Sequence, residues 1–522
     1  MVRPLTCDVA VIGGSFGGVA AALAAAESSA TVILTEALPW IGGQVTSQGV
    51  APLDEHRLVE TVHATRRYED FRSMVRAFYQ QQYGAPAEML DGKPLNPGNG
   101  WVSALCFEPV VGLQVLQEML APHIASGRLQ VLLNAVPIGC EGDSSHITAV
   151  HLQTDDGMAA VYAQYFLDAT DTGELLPLAG LPYVTGAEAQ EDTGEEFASI
   201  DGAHPERIQS FTYCFMVEFC PGENHVIEKP AGYEDNRDKQ PYSLTLYDRS
   251  GAARPFHFFT STPESPLPFW TYRRVFDAAL LDPSGKRNDL ALINWHGNDY
   301  HWANPIDQPK ERQQAILEEA KQLSLGFLYW LQTEVPRDDG KSLGYPELRL
   351  AKEALGTADG LSMAPYWRES RRIIGRYRIV AEDILVSANE GKHQAAFPDS
   401  VGIGWYAMDL HPAVGDETTM YAPTLPFQIP LGALIPQDCD NLIASCKNIN
   451  TTHLSNGAYR LQPVEWSIGE AAGSLGAFCS ANGVTPAQVH GDPKIFRDFQ
   501  HFLHQRGVLT SWPQEALDSL KE

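Results

Sequence analysis

The sequence predicts an α/β fold, in which a parallel sheet domain is interrupted by an inserted α+β domain. A buried strand, a glycine turn, a helix and a second buried strand follow one another within the first 36 residues. From about residue 185 glycines become sparse and aromatic strands replace them, and the glycine- and alanine-rich texture returns near the C-terminus. Because 522 residues are too many for one core, we interpret these changes as domain boundaries. The predicted ranges are 1–184 and 356–484 for the two parts of the nucleotide-binding domain, 185–355 for the inserted substrate domain and 485–522 for a helical tail at the surface.

The first strand and its turn carry the clearest signal. Residues 9–12 are apolar and rich in β-branched side chains, as a strand buried on both faces requires. Gly13 allows a sharp turn, and Gly18 lets the next helix pack close to the sheet. Ser15 replaces the middle glycine of the G-x-G-x-x-G fingerprint and is still small enough for a phosphate to approach. The helix predicted at 17–28 is rich in alanine, and the free N–H groups at its start favour a pyrophosphate.

The second strand, at 31–35, ends in Glu36. A carboxylate there accepts both hydroxyls of an adenosine ribose and repels a 2′-phosphate. A glycine motif alone is often only a turn, but here strand, turn, helix, strand and acid occur in the required order. The sequence therefore predicts a dinucleotide site. The residues predicted to bind this cofactor are Ile12, Gly13, Gly14, Ser15, Phe16, Gly17, Gly18, Glu36, Ala37, Gly42, Gly43, Gln44, Ala135, Val136, Ala169, Thr170, Asp171, Pro463 and Ile468.

Charge and cysteine content exclude several classes of partner. The formal net charge is −28, which argues against nucleic acid and anionic membrane surfaces, since both are polyanions. None of the eight cysteines forms a C-x-x-C pair, so no metal site is expected, and the nearest pair, Cys214 and Cys220, is expected to be reduced and buried. No apolar run of about 18 residues occurs, and the first strand begins at once. We expect a cytoplasmic protein with a small-molecule substrate, no nucleic-acid or membrane partner, and a homodimer as the candidate assembly.

Further elements follow from periodicity and composition. The predicted elements are a helix at 56–84, a loop at 85–104, an amphipathic helix at 108–125, strands at 129–133, 147–152 and 162–167, aromatic strands at 211–219, 242–247, 256–259 and 290–295, helices near 307–333 and a strand at 441–444. Pro463 suits the first turn of a C-terminal helix. The small face of that helix, Gly469, Ala472 and Gly473, permits close packing, and its N-terminal dipole favours negative charge on a bound cofactor.

A basic run at 367–376 contains four arginines in nine residues of an acidic protein. It can be interpreted as a solvated helix face or as arginines paired with Glu369 and Glu382, because runs of charge are usually solvated. It can equally belong to a substrate or cofactor site, in which case Arg371 and Arg372 would line the cleft.

Taken together, these motifs resemble the FAD-dependent oxidoreductases of the glutathione-reductase-like superfamily, near the fumarate reductase and succinate dehydrogenase flavoproteins. The resemblance rests on the N-terminal fingerprint with Glu36, the pair Gly42-Gly43, and residues 168–170, 368–375 and 468–473. It implies a Rossmann-like FAD-binding domain with FAD in an extended pose and its flavin ring at the interface with the inserted domain.

The resemblance also implies site residues. The fumarate reductase group places a His-Gly-Ala-Asn-Arg-Leu segment before its last flavin helix, and its arginine handles a substrate carboxylate. The corresponding segment here keeps the arginine as Arg460, whereas Asn456 replaces the histidine. A second family histidine is similar in position to His411. The covalent flavin histidine of the group has no counterpart near Gln48-Gly49, which implies FAD held without a covalent bond.

A flavin enzyme needs a carbon–hydrogen bond over flavin N5 and a group that moves the accompanying proton. The predicted catalytic residues are Arg460, His411, His453 and Arg371. Imidazole titrates near neutral pH, although a lone histidine is more often structural. Arg460 offers a clamp for a carboxylate or for flavin O2, and the alternative is a buried ion pair with Glu465 or Glu470. His296, Asp299 and His301 can reach the same cleft from the inserted domain; with one carboxylate between them they make a poor metal set.

Three functions are consistent with these residues. The favoured one is an FAD-dependent oxidase or dehydrogenase that transfers a hydride between a small organic substrate and flavin N5. The first alternative is an NAD(P)H-dependent flavin monooxygenase or reductase, although no second strand-placed glycine fingerprint occurs. The second alternative is a non-catalytic flavin-binding redox sensor.

Overall fold

A computed structural model describes residues 2–247, 253–263 and 265–520. The predicted ranges 1–184, 185–355 and 485–522 therefore each include residues outside the described part. The helices are α1 (Phe16–Glu27), α2 (Arg66–Tyr83), α3 (Pro109–Ala125), α4 (Leu175–Leu178), α5 (Gln190–Thr193), α6 (Tyr233–Lys239), α7 (Ala278–Leu281), α8 (Lys310–Thr333), α9 (Ala381–Ile384), α10 (His453–Tyr459), α11 (Gln462–Asn482), α12 (Pro486–Gly491), α13 (Pro493–His504) and α14 (Gln514–Ser519). The strands are β1 (Arg3–Ile12), β2 (Val32–Thr35), β3 (Leu129–Leu132), β4 (Val136–Asp143), β5 (His146–Thr154), β6 (Gly157–Asp168), β7 (Tyr183–Val184), β8 (Phe211–Thr212), β9 (Phe215–Phe219), β10 (Thr245–Tyr247), β11 (Ala253–Pro255), β12 (Arg274–Phe276), β13 (Leu290–Ile293), β14 (Asp299–Tyr300), β15 (Leu348–Leu350), β16 (Arg372–Ile373), β17 (Ser400–Gly404), β18 (Met408–Leu410), β19 (Met420–Ala422), β20 (Phe427–Pro430) and β21 (Leu442–Ala444).

A seven-stranded sheet forms the frame of the molecule. Strands β3, β2, β1 and β6 lie side by side in parallel, and β4, β5 and β6 form an antiparallel meander. The end of β6 also pairs in parallel with β21. In register, Asp168 lies opposite both Ile12 and Ala444, and Thr35 lies opposite Ile12. The carboxyl ends of β1, β2, β6 and β21 therefore meet at one edge of the sheet, where α/β proteins bind their ligands.

Helices α1 and α11 pack backbone to backbone beside this sheet. A Cβ atom on Gly469 would lie 2.0 Å from the carbonyl oxygen of Gly17, and one on Gly473 would lie 2.1 Å from that of Ala21. No side chain fits at either glycine, which confirms the predicted small face of the C-terminal helix. The same helix begins with Pro463 in its first turn, as predicted.

A second core surrounds the antiparallel sheet β12-β13-β9-β15 and helix α8. Its buried members are mainly aromatic and run from Phe211 to Trp367. Strand β9 separates the two cores, because Phe215 and Val217 belong to the second core whereas Met216 belongs to the main one. The change of sequence texture after residue 185 thus coincides with a separate packing unit.

Several predicted elements differ from the structure. The helix predicted at 56–84 begins only at Arg66, where Thr65 caps it, and the residues before it form turns. Strand β4 was not predicted, because most of its side chains are exposed and two of its residues are glycines. The tail at 485–522 contains helices α12, α13 and α14, but it is not confined to the surface: Phe499 and Leu503 are fully buried in the main core.

The basic run is not a solvated helix face. Its residues are extended, and β16 pairs with β7. Arg368 and Arg372 are only 2% and 0% exposed. Arg372 does pair with Glu369, as one prediction had it, and its second partner is Glu188 rather than Glu382. Hydrophobic periodicity does not reveal such a segment, because buried arginines look like surface residues in a sequence.

Within the described residues, no helix combines the length and the apolar character that a membrane crossing requires.

Candidate cofactor and substrate site

The turn after β1 is shaped for close backbone contact. Gly13 has a φ of +101°, and a Cβ atom there would lie 2.4 Å from the backbone of Ala169. Ser15 is the N-cap of α1, because its hydroxyl accepts a hydrogen bond from the Gly18 N–H at 3.1 Å. The serine that departs from the glycine fingerprint therefore has a structural reason. The first turn of α1, which begins at Phe16, lies at this edge of the sheet, and besides the Gly18 N–H its Gly17 N–H also has a side-chain acceptor, Glu465 at 2.9 Å.

Glu36 lies directly beside this turn. Its carboxylate accepts hydrogen bonds from the N–H groups of Gly14 and Leu38, both at 2.8 Å. The residue is 7% exposed, and burial, reinforced by the charge of Asp171, raises the pKa of Glu36 to about 8. A carboxylate held in this way has lone pairs left for ribose hydroxyl donors.

Backbone hydrogen bonds bring the other predicted cofactor segments to the same edge. Thr170 follows in the loop after β6, where its hydroxyl donates to Asp168 at 2.7 Å. Ala37 follows Glu36, and Val136 starts β4 with 43% of its surface exposed. The bonds that join the segments are Gly42 N–H to Gly14 O (2.7 Å), Ala135 N–H to Glu36 O (2.8 Å) and Ala169 N–H to Ile12 O (2.8 Å).

A second group of polar side chains is centred on His411, which follows β18. Its Nδ1 lies 2.7 Å from an oxygen of Asp299, and its Nε2 lies 3.5 Å from an oxygen of Asp409. The ring of His296 stacks on that of His411, with 5.1 Å between the ring centres. This cluster joins β18 to the segment around β14, so it lies between the C-terminal part of the chain and the second core.

Two buried arginines flank this histidine. Arg368 pairs with Asp299 at 3.0 Å, and Arg460 pairs with Asp409 at 3.3 Å. Burial alone would raise the pKa of Asp299, but Arg368 and His411 outweigh it and hold that pKa well below its usual range. In the same way, His411 and Arg460 overcome the effect of burial and lower the pKa of Asp409. Both aspartates are therefore carboxylates, and they face one imidazole.

Arg460 connects this cluster to the sheet edge assigned to the cofactor. Its side-chain Nη1 donates to the Tyr366 hydroxyl at 3.0 Å, and its backbone carbonyl oxygen accepts from Gln44 Nε2 at 3.4 Å. The backbone N–H of Trp367 donates to Gln48 Oε1 at 3.4 Å. The loop that contains Gln44 and Gln48 follows β2 at the sheet edge. It thus links the residues of that edge to the cluster around His411.

A comparison with protein families decides the class of this chain. Residues 8–503 match the family model described as FAD dependent oxidoreductase. The chain belongs to this family. It is accordingly an FAD-dependent oxidoreductase, and FAD is its cofactor. A comparison of the sequence with curated proteins gives no match.

A comparison with solved structures gives matches to proteins of diverse activity. One is a geranylgeranyl bacteriochlorophyll reductase-like protein of Thermoplasma acidophilum, at 10% identity and a TM-score of 0.34, covering 99% of this chain and 91% of that one. Another is the E. coli quinol fumarate reductase, at 10% identity and a TM-score of 0.33, covering 97% and 74%. A third is the L-proline dehydrogenase of P. horikoshii, at 14% identity and a TM-score of 0.19, covering 37% of this chain. This chain spans 26% of the length of that dehydrogenase.

The residues at the sheet edge fit FAD. Among the described residues, Gln44 Oε1, Gln48 Nε2 and Ser445 Oγ are buried polar atoms without a hydrogen-bond partner. Buried polar groups are normally paired, so these atoms are suited to a polar ligand. They lie on the loop after β2 and directly after β21, beside the first turn of α1. An extended dinucleotide with a polar ring system supplies donors and acceptors along such a line.

Two buried charged residues at this edge were not among the predicted cofactor residues. Glu465, in the first turn of α11, accepts from the Gly17 N–H at 2.9 Å and from Gln44 Nε2. Lys447 pairs with the predicted Asp171 at 3.0 Å. Burial raises the pKa of Glu465, and the nearby Lys447 ammonium opposes this. On the helix of Glu465, the sequence signal covered Pro463 and Ile468.

The predicted catalytic residues fall into separate groups. His411 and Arg460 lie in one cluster, and Asp299 and His296 join it as expected from the inserted segment. His301 meets the backbone carbonyl oxygen of Asp299 rather than its carboxylate, through Nδ1 at 3.1 Å, and its Nε2 pairs with Glu417 at 3.0 Å. The sequence reasoning missed Asp409 and Tyr366, and the only available signal was the position of Asp409 two residues before His411.

His453 and Arg371 have other charge partners, although His453 and His411 line one pocket. His453 Nδ1 is 2.8 Å from Glu369, and the Glu369 carboxylate outweighs burial and raises the pKa of His453. Arg371 pairs with Asp307 and donates to the Thr172 carbonyl oxygen, both at 2.7 Å.

The alternative pairing suggested for Arg460 is wrong. Its carboxylate partner is Asp409, whereas Glu470 pairs with Arg67. Cys214 and Cys220 are both buried free thiols, as expected.

Proposed function

We propose that this FAD-dependent oxidoreductase is an oxidase or dehydrogenase that transfers a hydride between a small organic substrate and the flavin, with His411 as the proton carrier. The observation that carries the proposal is the position of His411 between the carboxylates of Asp299 and Asp409, next to Arg460. Through Gln44, this cluster is connected to the loop that we assign to the cofactor. FAD, when bound, supplies the hydride acceptor or donor at N5.

His411 is suited to moving a proton because its orientation is fixed. Its Nδ1–H donates to Asp299 at 2.7 Å, which selects one tautomer and leaves Nε2 to take the substrate proton. Asp299 is itself held by Arg368 and by the Thr212 hydroxyl. When Nε2 is protonated, Asp409 at 3.5 Å stabilises the imidazolium.

Arg460 acts as a positioning residue in this proposal. It holds Asp409 through Nη2 and the Tyr366 hydroxyl through Nη1. Because it directly precedes α11, whose N-terminus faces the cofactor edge, it ties the proton carrier to the flavin site. His453, paired with Glu369, keeps a structural role that stabilises α10.

We further propose that FAD is held without a covalent bond. The residues at the position where related flavoproteins attach the flavin are Gln48 and Gly49, and neither carries a nucleophile. We also propose that residues 1–184 and 356–484 form the FAD-binding domain and that 185–355 form the substrate domain. The separate aromatic core from Phe211 to Trp367 supports this division.

Anaerobic spectroscopy of the purified holoenzyme tests the proposal. Bleaching of the visible flavin absorbance by a substrate alone supports the oxidase or dehydrogenase function. Bleaching by NADPH alone would instead favour the monooxygenase or reductase, and bleaching by neither would favour a redox sensor. A His411→Gln variant with unchanged FAD content should bleach much more slowly with the same substrate.

A further inference from the structure

The charges around His411 are already balanced. Three buried arginines lie in or beside this cluster, and each has one aspartate partner. Asp54 and the Tyr366 hydroxyl are near both Arg460 and Arg273. A dicarboxylate placed here would add negative charge to a desolvated site in which each of these arginines already has a carboxylate partner. The pairs are Arg273–Asp54 (3.1 Å), Arg368–Asp299 (3.0 Å) and Arg460–Asp409 (3.3 Å).

Hydrogen-bonding capacity nevertheless remains in these paired groups. In the described part of the chain, the Nε–H groups of Arg273, Arg368 and Arg460 are buried and lack a hydrogen-bond partner. The Tyr366 hydroxyl accepts from Arg460 and retains its own hydrogen. Asp409 supplies an acceptor oxygen and keeps 24% of its side chain exposed. Donors and acceptors therefore alternate, which matches hydroxyl groups, since a hydroxyl both donates and accepts.

A row of aromatic rings adjoins this cluster. The rings of Trp101 and Tyr272 are 4.5 Å apart, those of Tyr272 and Trp295 5.5 Å, and those of Trp295 and His296 5.7 Å. His296, which stacks on His411, is exposed to solvent. Aromatic faces beside a few polar groups provide an apolar contact for the carbon–hydrogen faces of a ligand and leave its hydroxyls to the charged pairs.

We infer that the substrate is a neutral compound with several hydroxyl groups, of the carbohydrate or polyol class, and that one carbinol is oxidised to a carbonyl. In this step the carbon–hydrogen bond breaks and its electron pair leaves with the hydride to FAD. The oxygen–hydrogen bond breaks and its proton passes to His411 Nε2, while the carbon–oxygen double bond forms. The inference rests on the proposed function and adds the substrate class to it.

Ligand binding to the holoenzyme tests this inference, with perturbation of the oxidised flavin spectrum as the readout. The probes are myo-inositol, D-sorbitol, D-glucose and cellobiose on one side, and succinate and L-malate on the other. We expect a saturable perturbation by at least one neutral probe and none by the two carboxylates. Tighter binding of succinate or L-malate, or binding of no neutral probe, overturns the inference.

A gain of carboxylate binding provides a second, independent readout. Asp409→Asn leaves Arg460 without its counter-ion, so the variant should bind succinate at least tenfold more tightly than the wild type does. Asp54→Asn, which frees Arg273, should behave in the same way if the first variant folds poorly. Asp156→Asn, at an exposed turn, is the matched control and should not change succinate binding. Unchanged succinate binding in both folded site variants contradicts the charge balance.

The proposed function and the proposed substrate class can be overturned independently of each other. Anaerobic bleaching by a carboxylate would leave the proposed function intact and overturn the substrate class. A neutral probe that binds saturably, with bleaching only by NADPH, would leave the binding class intact and overturn the hydride transfer from substrate.

Discussion

Asp299 and His411 are 112 positions apart in the chain, and their side chains meet at 2.7 Å. The contact joins the segment around β14, which packs on the second core, to the residue that follows β18. Asp299 also accepts a hydrogen bond from Arg368 at 3.0 Å. This contact holds the carboxylate in place, and the carboxylate in turn orients the imidazole. A histidine held in this way presents one nitrogen to a substrate in one tautomer.

Loss of this contact should slow proton transfer without emptying the cofactor site. We predict that Asp299→Asn and His411→Gln each lower the rate constant of substrate-driven flavin reduction by about 100-fold or more, because general acid–base catalysis contributes about that much. Stopped-flow absorbance measures the rate, and the ratio of flavin to protein absorbance measures FAD content. Unchanged reduction rates in both variants would remove His411 from the chemistry.

Arg460 should affect reduction more than cofactor content. Arg460→Ala removes the partner of Asp409 and of the Tyr366 hydroxyl, so we predict a decrease in the flavin reduction rate that exceeds the fractional decrease in bound FAD. Arg376→Ala, at an exposed arginine that donates to a backbone carbonyl, is the control and should change neither quantity. The opposite order, loss of FAD with a normal rate in the remaining holoenzyme, would make Arg460 a cofactor residue only.

The pKa of Glu36 predicts a pH-dependent affinity for FAD. In the protein without ligand the pKa of this carboxyl is raised to about 8, whereas ribose hydroxyls donate to the ionised form. Binding therefore favours ionisation, and FAD affinity should rise with pH, by up to about tenfold per pH unit between about pH 6 and pH 8. Fluorescence titration of the apoprotein measures this. Glu36→Gln should bind FAD more weakly with a flatter pH profile, and Glu36→Arg should bind it more weakly still. A wild-type profile as flat as that of Glu36→Gln would rule out the ribose contact.

The contact between α1 and α11 predicts opposite outcomes for two glycines on one helix. A Cβ atom on Gly473 meets the backbone of Ala21 at 2.1 Å, so Gly473→Ala should lower the free energy of unfolding by roughly 1–3 kcal/mol and weaken FAD retention. Gly476 has only ordinary contacts, 3.4 Å from the side chains of Leu167 and Val9. Gly476→Ala should therefore cost no stability and can gain about 1 kcal/mol from helix propensity. Urea unfolding followed by circular dichroism measures both, and equal effects would contradict the packing.

Local sequence signals were sufficient to predict the strand, turn and helices at the edge formed by β1, Glu36 and α11. The strand before Gly13, the alanine-rich helix, Glu36 and the helix that begins at Pro463 each depend on contacts within a few residues or on one repeated pattern. Their meeting at one sheet edge then follows from the parallel order of the strands.

The cluster around His411 could not be predicted in the same way. Arg368, Asp299 and Asp409 are buried charges that stabilise one another across long sequence separations. Composition and periodicity treat such residues as surface residues, which is why a solvated helix face is one of the interpretations that the sequence allows for the basic run. The pairing partner of Arg460 was wrong for a related reason: Glu465 and Glu470 are near in sequence, but their places on α11 direct them towards Gly17 and Arg67.

The visible spectrum of natively purified protein, recorded before and after heat denaturation, tests most directly the claim that FAD is held without a covalent bond at the edge formed by β1, Glu36 and α11. The account predicts one FAD per chain in the native protein and its complete release, as intact FAD, into the supernatant on denaturation. A colourless protein that takes up no added FAD, or flavin that stays attached to the denatured chain, would contradict it.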